Sequence, residues 1–168
     1  VLELNDLTKE ELLDLLTDGA KLWLAHDGFW FQEVEKAYGL AKAVELDENA
    51  MALLTVTEAK RIKERFKLPE NGGLDALDQA LRMRMYARVN RQTIERPDER
   101  TLIFKMVDCR VQAARARKNM PEHPCKSVGI LEYSKFAATI DQRIKTRCLG
   151  CPPGEHPPEF WCGWEFTI

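Results

Sequence analysis

The chain has 168 residues and a mass of 19.4 kDa, enough to bury the core of one ordinary domain without disulfides or metal. Hydrophobic residues make up 45% and charged residues 31%, which excludes a disordered chain, and no apolar run approaches the ~18 residues of a membrane span. The net charge of −2 hides 17 acidic against 9 basic residues in positions 1–81 (−8) and 11 basic against 4 acidic in 82–118 (+7). Overall acidity argues against nucleic acid as a partner. The basic centre is left to face a small anionic molecule, the acidic part of the chain, or a second copy in a homodimer.

In chain order, Thr8 and Glu11 have capping-box spacing and open a helix carrying Leu12, Leu15, Leu16, Trp23 and Leu24 at helical intervals. Asp18-Gly19 weakens its middle. A second helix is predicted from Gly28 to Tyr38, ended by Gly39. A third helical region runs from about Leu40 to Phe66, either continuous or broken near Asp47-Glu48-Asn49, with a basic last turn and Pro69 as its stop. Asn71-Gly72-Gly73 is a loop before a short helix, Leu74 to Arg82. The period then changes: Met83, Met85, Ala87 and Val89 alternate with Arg84, Tyr86, Arg88 and Asn90, which predicts a strand.

A turn at 96–100 leads to a second strand, Thr101 to Val111, completing an antiparallel hairpin. Helices follow at Gln112–Lys118 and Ser127–Ile140, and the end reads as a second hairpin from Arg143–Cys148 and Phe160–Ile168. The predicted fold is α+β in a single domain, 1–168. Its N-terminal helical region (1–68) packs with a four-stranded, mainly antiparallel sheet formed by two hairpins (74–168).

Five cysteines hold most of the chemical interest: Cys109, Cys125, Cys148, Cys151 and Cys162. No leader opens the chain, so the expected compartment is the cytoplasm, where such a set points to metal or reactive thiols rather than disulfides. Cys148 and Cys151 form a Cys-x-x-Cys pair, Cys162 begins the returning strand, and Cys125 precedes a helix whose free amides favour a thiolate. These four are the candidate metal ligands, for zinc before an iron–sulfur cluster; the alternative is that they pack as reduced thiols. Cys109, His26 and Asp27 are candidate catalytic residues, with Asp27 able to orient the imidazole, or to act only as a helix cap. Arg110 and Arg115 are candidate anion anchors, and Trp161 a candidate pocket wall. No phosphate loop, dinucleotide fingerprint or serine elbow occurs.

The segments Trp23–Phe31, Asp108–Arg115 and Pro124-Cys125-Lys126, with Cys148-Leu149-Gly150-Cys151-Pro152-Pro153 and Trp161–Phe166, carry a resemblance. Together they resemble a family of small uncharacterised cytosolic proteins of anaerobic bacteria and archaea. That family is in turn distantly similar to L-2-amino-thiazoline-4-carboxylic acid hydrolase-like proteins. The resemblance implies a C–N or C–S hydrolase for a small carboxylate and assigns no catalytic set. Two classes of function are expected: a metal- or thiol-dependent hydrolase acting on a compact anionic molecule, or a non-catalytic metal-binding or sensing module.

Overall fold

A computed structural model describes residues 2–168. Thr8 caps the first long helix as predicted: its Oγ1 accepts from Glu11 N at 3.2 Å, and its own N–H donates to Glu11 Oε2 at 2.8 Å. That helix, α1 (Lys9–Tyr38), then continues for 30 residues. It passes through Asp18-Gly19 and Asp27-Gly28, where the sequence predicted a weakening and a new helix. Gly39, at φ 84, reverses the chain into α2 (Leu40–Arg65). The left-handed region is open to glycine without strain, so the two helices need only one residue between them.

After α3 (Gly73–Met83), the segment predicted as a strand is instead a turn and one short helix, α4 (Tyr86–Val89). The alternation of the sequence does not become two faces of a strand: residues 86–90 are all half-buried. Arg84 points inward at 2% exposure, while Met83 and Met85 face solvent. The first strand, β1 (Arg91–Asp98), is mostly polar, with Ile94 its one side chain against the core, and pairs with β2 (Thr101–Asp108). Then follow α5 (Arg110–Arg117), α6 (Lys126–Ile140), β3 (Lys145–Gly150) and β4 (Cys162–Thr167).

The sheet is antiparallel in the order β1-β2-β4-β3, so the β1–β2 and β3–β4 hairpins join through β2 and β4, the first of them with its leading strand later in the chain than predicted. This is the α+β fold with an N-terminal helical region that the sequence predicts. Leu102, Phe104 and Met106 lie opposite Phe166, Trp164 and Cys162, and these pairs face the helices. The other face carries cross-strand ion pairs, Lys105–Glu95 at 2.7 Å and Arg147–Glu165 at 2.9 Å. Leu77, Leu81, Phe136 and Ile140 complete the core from α3 and α6.

α6 approaches the sheet most closely at Gly129, where a Cβ would stand 2.6 Å from Trp164 Cζ2. Gly129→Ala gains about 1 kcal/mol of helix propensity but forces a rigid indole aside. A net loss of about 1–3 kcal/mol is expected in urea denaturation, because overpacking outweighs propensity.

Candidate functional site

A cavity of about 370 Å³ lies where α1, α2, α4, α5 and α6 meet the ends of β2 and β4. Each helix contributes by turning one residue of its buried stripe inward. On α1, Asp27 follows Ala20 and Leu24; on α2, Asp47 sits four residues from both Ala43 and Met51; on α6, Glu132 sits four from both Val128 and Phe136. Three carboxyls therefore line the cavity on positions that amphipathic helices usually give to apolar side chains.

Their electrostatics differ with their partners. Glu132 meets Arg84 Nη2 at 2.6 Å, and the same guanidinium reaches Glu58 Oε2 at 2.8 Å. Asp27 is raised above the usual carboxylate range by burial. Asp47 is raised to about 7, first by burial and then by the negative charges of Asp27, Glu132 and Glu48. His123 Nε2 lies 3.9 Å from Asp47 Oδ2, and burial followed by the Arg115 charge lowers its pKa to about 4. At neutral pH the imidazole is uncharged beside a carboxyl that is half protonated.

The loop that carries His123 and Cys125 is fixed from α5. Gln112 Nε2 donates to His123 O at 2.9 Å and to Cys125 Sγ at 3.3 Å, and its Oε1 accepts from His123 N at 2.9 Å. Arg115 Nε donates to Pro121 O at 2.6 Å, while its other nitrogens grip Glu35 bidentately at 2.9 and 3.1 Å. Arg115 lines the cavity, but its fork is occupied by Glu35 and the loop, so it positions rather than anchors. Arg110, by contrast, is exposed at the mouth with Lys21, Arg117 and Lys118. Lys118 Nζ reaches Gln32 Oε1 at 2.8 Å, tying the mouth to α1.

Thiols from four chain segments line the cavity. Cys109 caps α5, Cys125 precedes α6, Cys151 ends the β3 turn and Cys162 starts β4. A backbone bond from Lys126 N to Pro152 O, 2.9 Å, brings the start of α6 against the Cys151 loop. Hydrogen bonding with Cys125 and then Cys162, followed by burial, pushes the Cys151 thiol far up. Burial pushes Cys109 up to about 12. Both are neutral thiols at pH 7, not preformed thiolates.

Cys148 does not join them: it stands across the strand pair from Trp164 and lies off the cavity. Cys148 shares the helix-facing side of the sheet with Trp164, its cross-strand neighbour, but of the four candidate ligands only Cys125, Cys151 and Cys162 line the cavity. Among the described residues, no group of three or more His, Cys, Asp or Glu is arranged to hold a metal ion. His26 is exposed on α1 and outside the cavity, although Asp27 beside it is inside. Trp161 is also outside, with its ring 5.5 Å from that of His156.

Asp47, Glu132 and His123 were missed as a group by sequence reasoning. Asp47 and Glu132 could have been found as charges placed on the core stripe of a helix. The fold and cavity define an α+β protein with a cationic mouth over a chamber lined by carboxyls and thiols. The chain belongs to a family of unknown function, DUF6125, which matches residues 5–168. No curated protein and no solved structure matches it. No helix among the described residues is long and apolar enough to cross a membrane.

Proposed function

We propose that the cavity binds and hydrolyses a compact carboxylate, cleaving a C–N or C–S bond with Asp47 as the proton-transfer group. The observation that carries this reading is Asp47 itself, a carboxyl poised at about 7 within 3.9 Å of the neutral His123, beneath a cationic mouth. A general acid–base works best with a pKa near the operating pH. Arg110 and Lys118 take the substrate carboxylate at the mouth. The ionised Asp47 accepts a proton from the attacking water and returns it to the departing nitrogen or sulfur. The hydrolase-like resemblance of the sequence agrees with this chemistry, and the family would then be one of small cytosolic hydrolases.

The test is turnover of a panel of small cyclic and acyclic carboxylates bearing C–N or C–S bonds, 2-aminothiazoline-4-carboxylate first, followed by mass spectrometry. Asp47→Asn is expected to lower kcat about 10²-fold or more, as loss of a general acid–base does. Arg110→Ala should raise KM with a smaller effect on kcat. Turnover that is indifferent to Asp47→Asn would overturn the assignment.

The approach of Cys109, Cys125, Cys151 and Cys162 to one cavity favours a second reading, a non-catalytic site for a soft metal ion such as zinc. The side chains as arranged offer no ready coordination set. One equivalent of zinc per chain in anaerobically purified protein, lost in Cys151→Ser, is the result that would establish this reading over the first.

A further inference from the structure

We propose that the outer face of α1 is the interface of a homodimer, covered by α1 of a second copy. This inference does not rest on the chemistry assigned to the cavity, although Phe29 of the stripe also lines the cavity, with Lys118 Nζ 5.8 Å over its ring. The helix is apolar on two opposite sides. Ala20 and Leu24 are buried, while Leu15, Leu22 and Phe29 lie about 180° around the helix from them. These three recur every seven residues, the repeat of a helix seam, and are 51%, 71% and 63% exposed. Leu12 and Trp30 (69% exposed) widen the stripe.

The surface area points to a second copy as the occupant. The chain exposes 10476 Å², whereas scaling gives about 8,500 Å² for a folded monomer of 19.4 kDa. The surplus of about 2,000 Å² exceeds the ~800 Å² that each partner contributes to a standard interface. The stripe is also self-complementary. An antiparallel crossing centred on Leu22 sets Leu15 against Phe29 of the second copy and Asp18 against its His26, so apolar meets apolar and the carboxylate meets the imidazole. Gly19 lies on this face, and a Cβ there would meet nothing within 4 Å in the single chain. A mid-helix glycine costs about 1 kcal/mol, and a close helix crossing is what offsets it.

The test is the mass of the full-length chain by light scattering, with Leu22→Glu and Gly19→Glu beside it. The wild-type chain is expected to have twice its 19.4 kDa mass. Leu22→Glu should weaken association about 100-fold or more while keeping helical circular dichroism. Gly19→Glu is the variant safest for folding, since the side chain enters open space and favours helix; it too should give a monomer. A wild-type monomer at high micromolar concentration overturns the proposal, whatever else covers the face. A dimer that persists in folded Gly19→Glu overturns it as well. Carbene footprinting of the wild-type chain gives a readout that needs no variant: labelling of residues 12–30 should rise on dilution, and constant labelling counts against the interface.

Discussion

Arg84→Met is expected to cost about 3–5 kcal/mol in urea denaturation, the largest loss of any single replacement proposed. The guanidinium is 2% exposed and stands between Glu132 at 2.6 Å and Glu58 at 2.8 Å. Its carbon lies 4.7 Å over the Phe136 ring and 5.2 Å over Tyr86, so aromatic faces supply what the carboxylates do not. Removing the cation leaves Glu132 buried and charged without a counter-ion, and that penalty governs the result. The double replacement Arg84→Met with Glu132→Gln should recover more than half of the loss. If the double variant is as unstable as the single one, the effect lies in packing and not in charge.

Asp47→Asn is expected to stabilise the chain at pH 8, and the gain should vanish as pH falls. Asp47 titrates at about 7 in the folded protein and at the ordinary 3.8 of an aspartate when unfolded. Between those values the folded state holds a proton that the unfolded state has released. Stability therefore falls as pH rises from about 4 to about 7, and stays low above that. The shift corresponds to up to about 4 kcal/mol, reduced by whatever water reaches the carboxyl. His123, lowered to about 4 in the folded protein, acts in the opposite direction between about 4 and 6.5. It does so in both proteins and cancels to first order in their difference. Denaturation of wild type and Asp47→Asn at pH 4.5 and pH 8 decides the matter: equal differences at the two pH values would show that Asp47 is not raised. The same replacement should cut turnover about 10²-fold or more, so stability and activity move apart at this one position, as they do where a site retains a costly group for its chemistry.

Much of the fold is legible in the sequence because the signals are local. The Thr8–Glu11 box and Gly39 place the two ends of α1 without reference to the rest of the chain. β1 escaped notice because its residues, Arg91 to Asp98, include one apolar side chain suited to a core, Ile94, and the remainder face solvent or the edge. The Met83–Val89 stretch misled for a different reason. The segment is a helix end, a turn and a short helix, too short for a helical period to show, and Arg84 within it is buried by pairing with two carboxylates.

The cavity thiols were partly legible. Cys125, Cys151 and Cys162 reach one chamber through the hairpin return and the Lys126–Pro152 backbone bond, whereas Cys148 packs beside Trp164 without lining the chamber, a difference that spacing alone does not encode. Asp27, Asp47 and Glu132 come together only when three helices pack, at sequence separations too long for any local pattern.

The two borders of the sheet govern what the molecule can grow into. β1 forms one border with Arg91, Glu95, Arg96 and Pro97, and β3 forms the other with Lys145 and Arg147. Charges and a proline along an unpaired strand deter another strand from docking there, so chain-to-chain ribbon formation is blocked at both ends. Contacts between molecules are left to the helical side. A protein with this many exposed leucines on its helices, paired through α1 as proposed, then forms a closed, finite particle instead of an open-ended fibre.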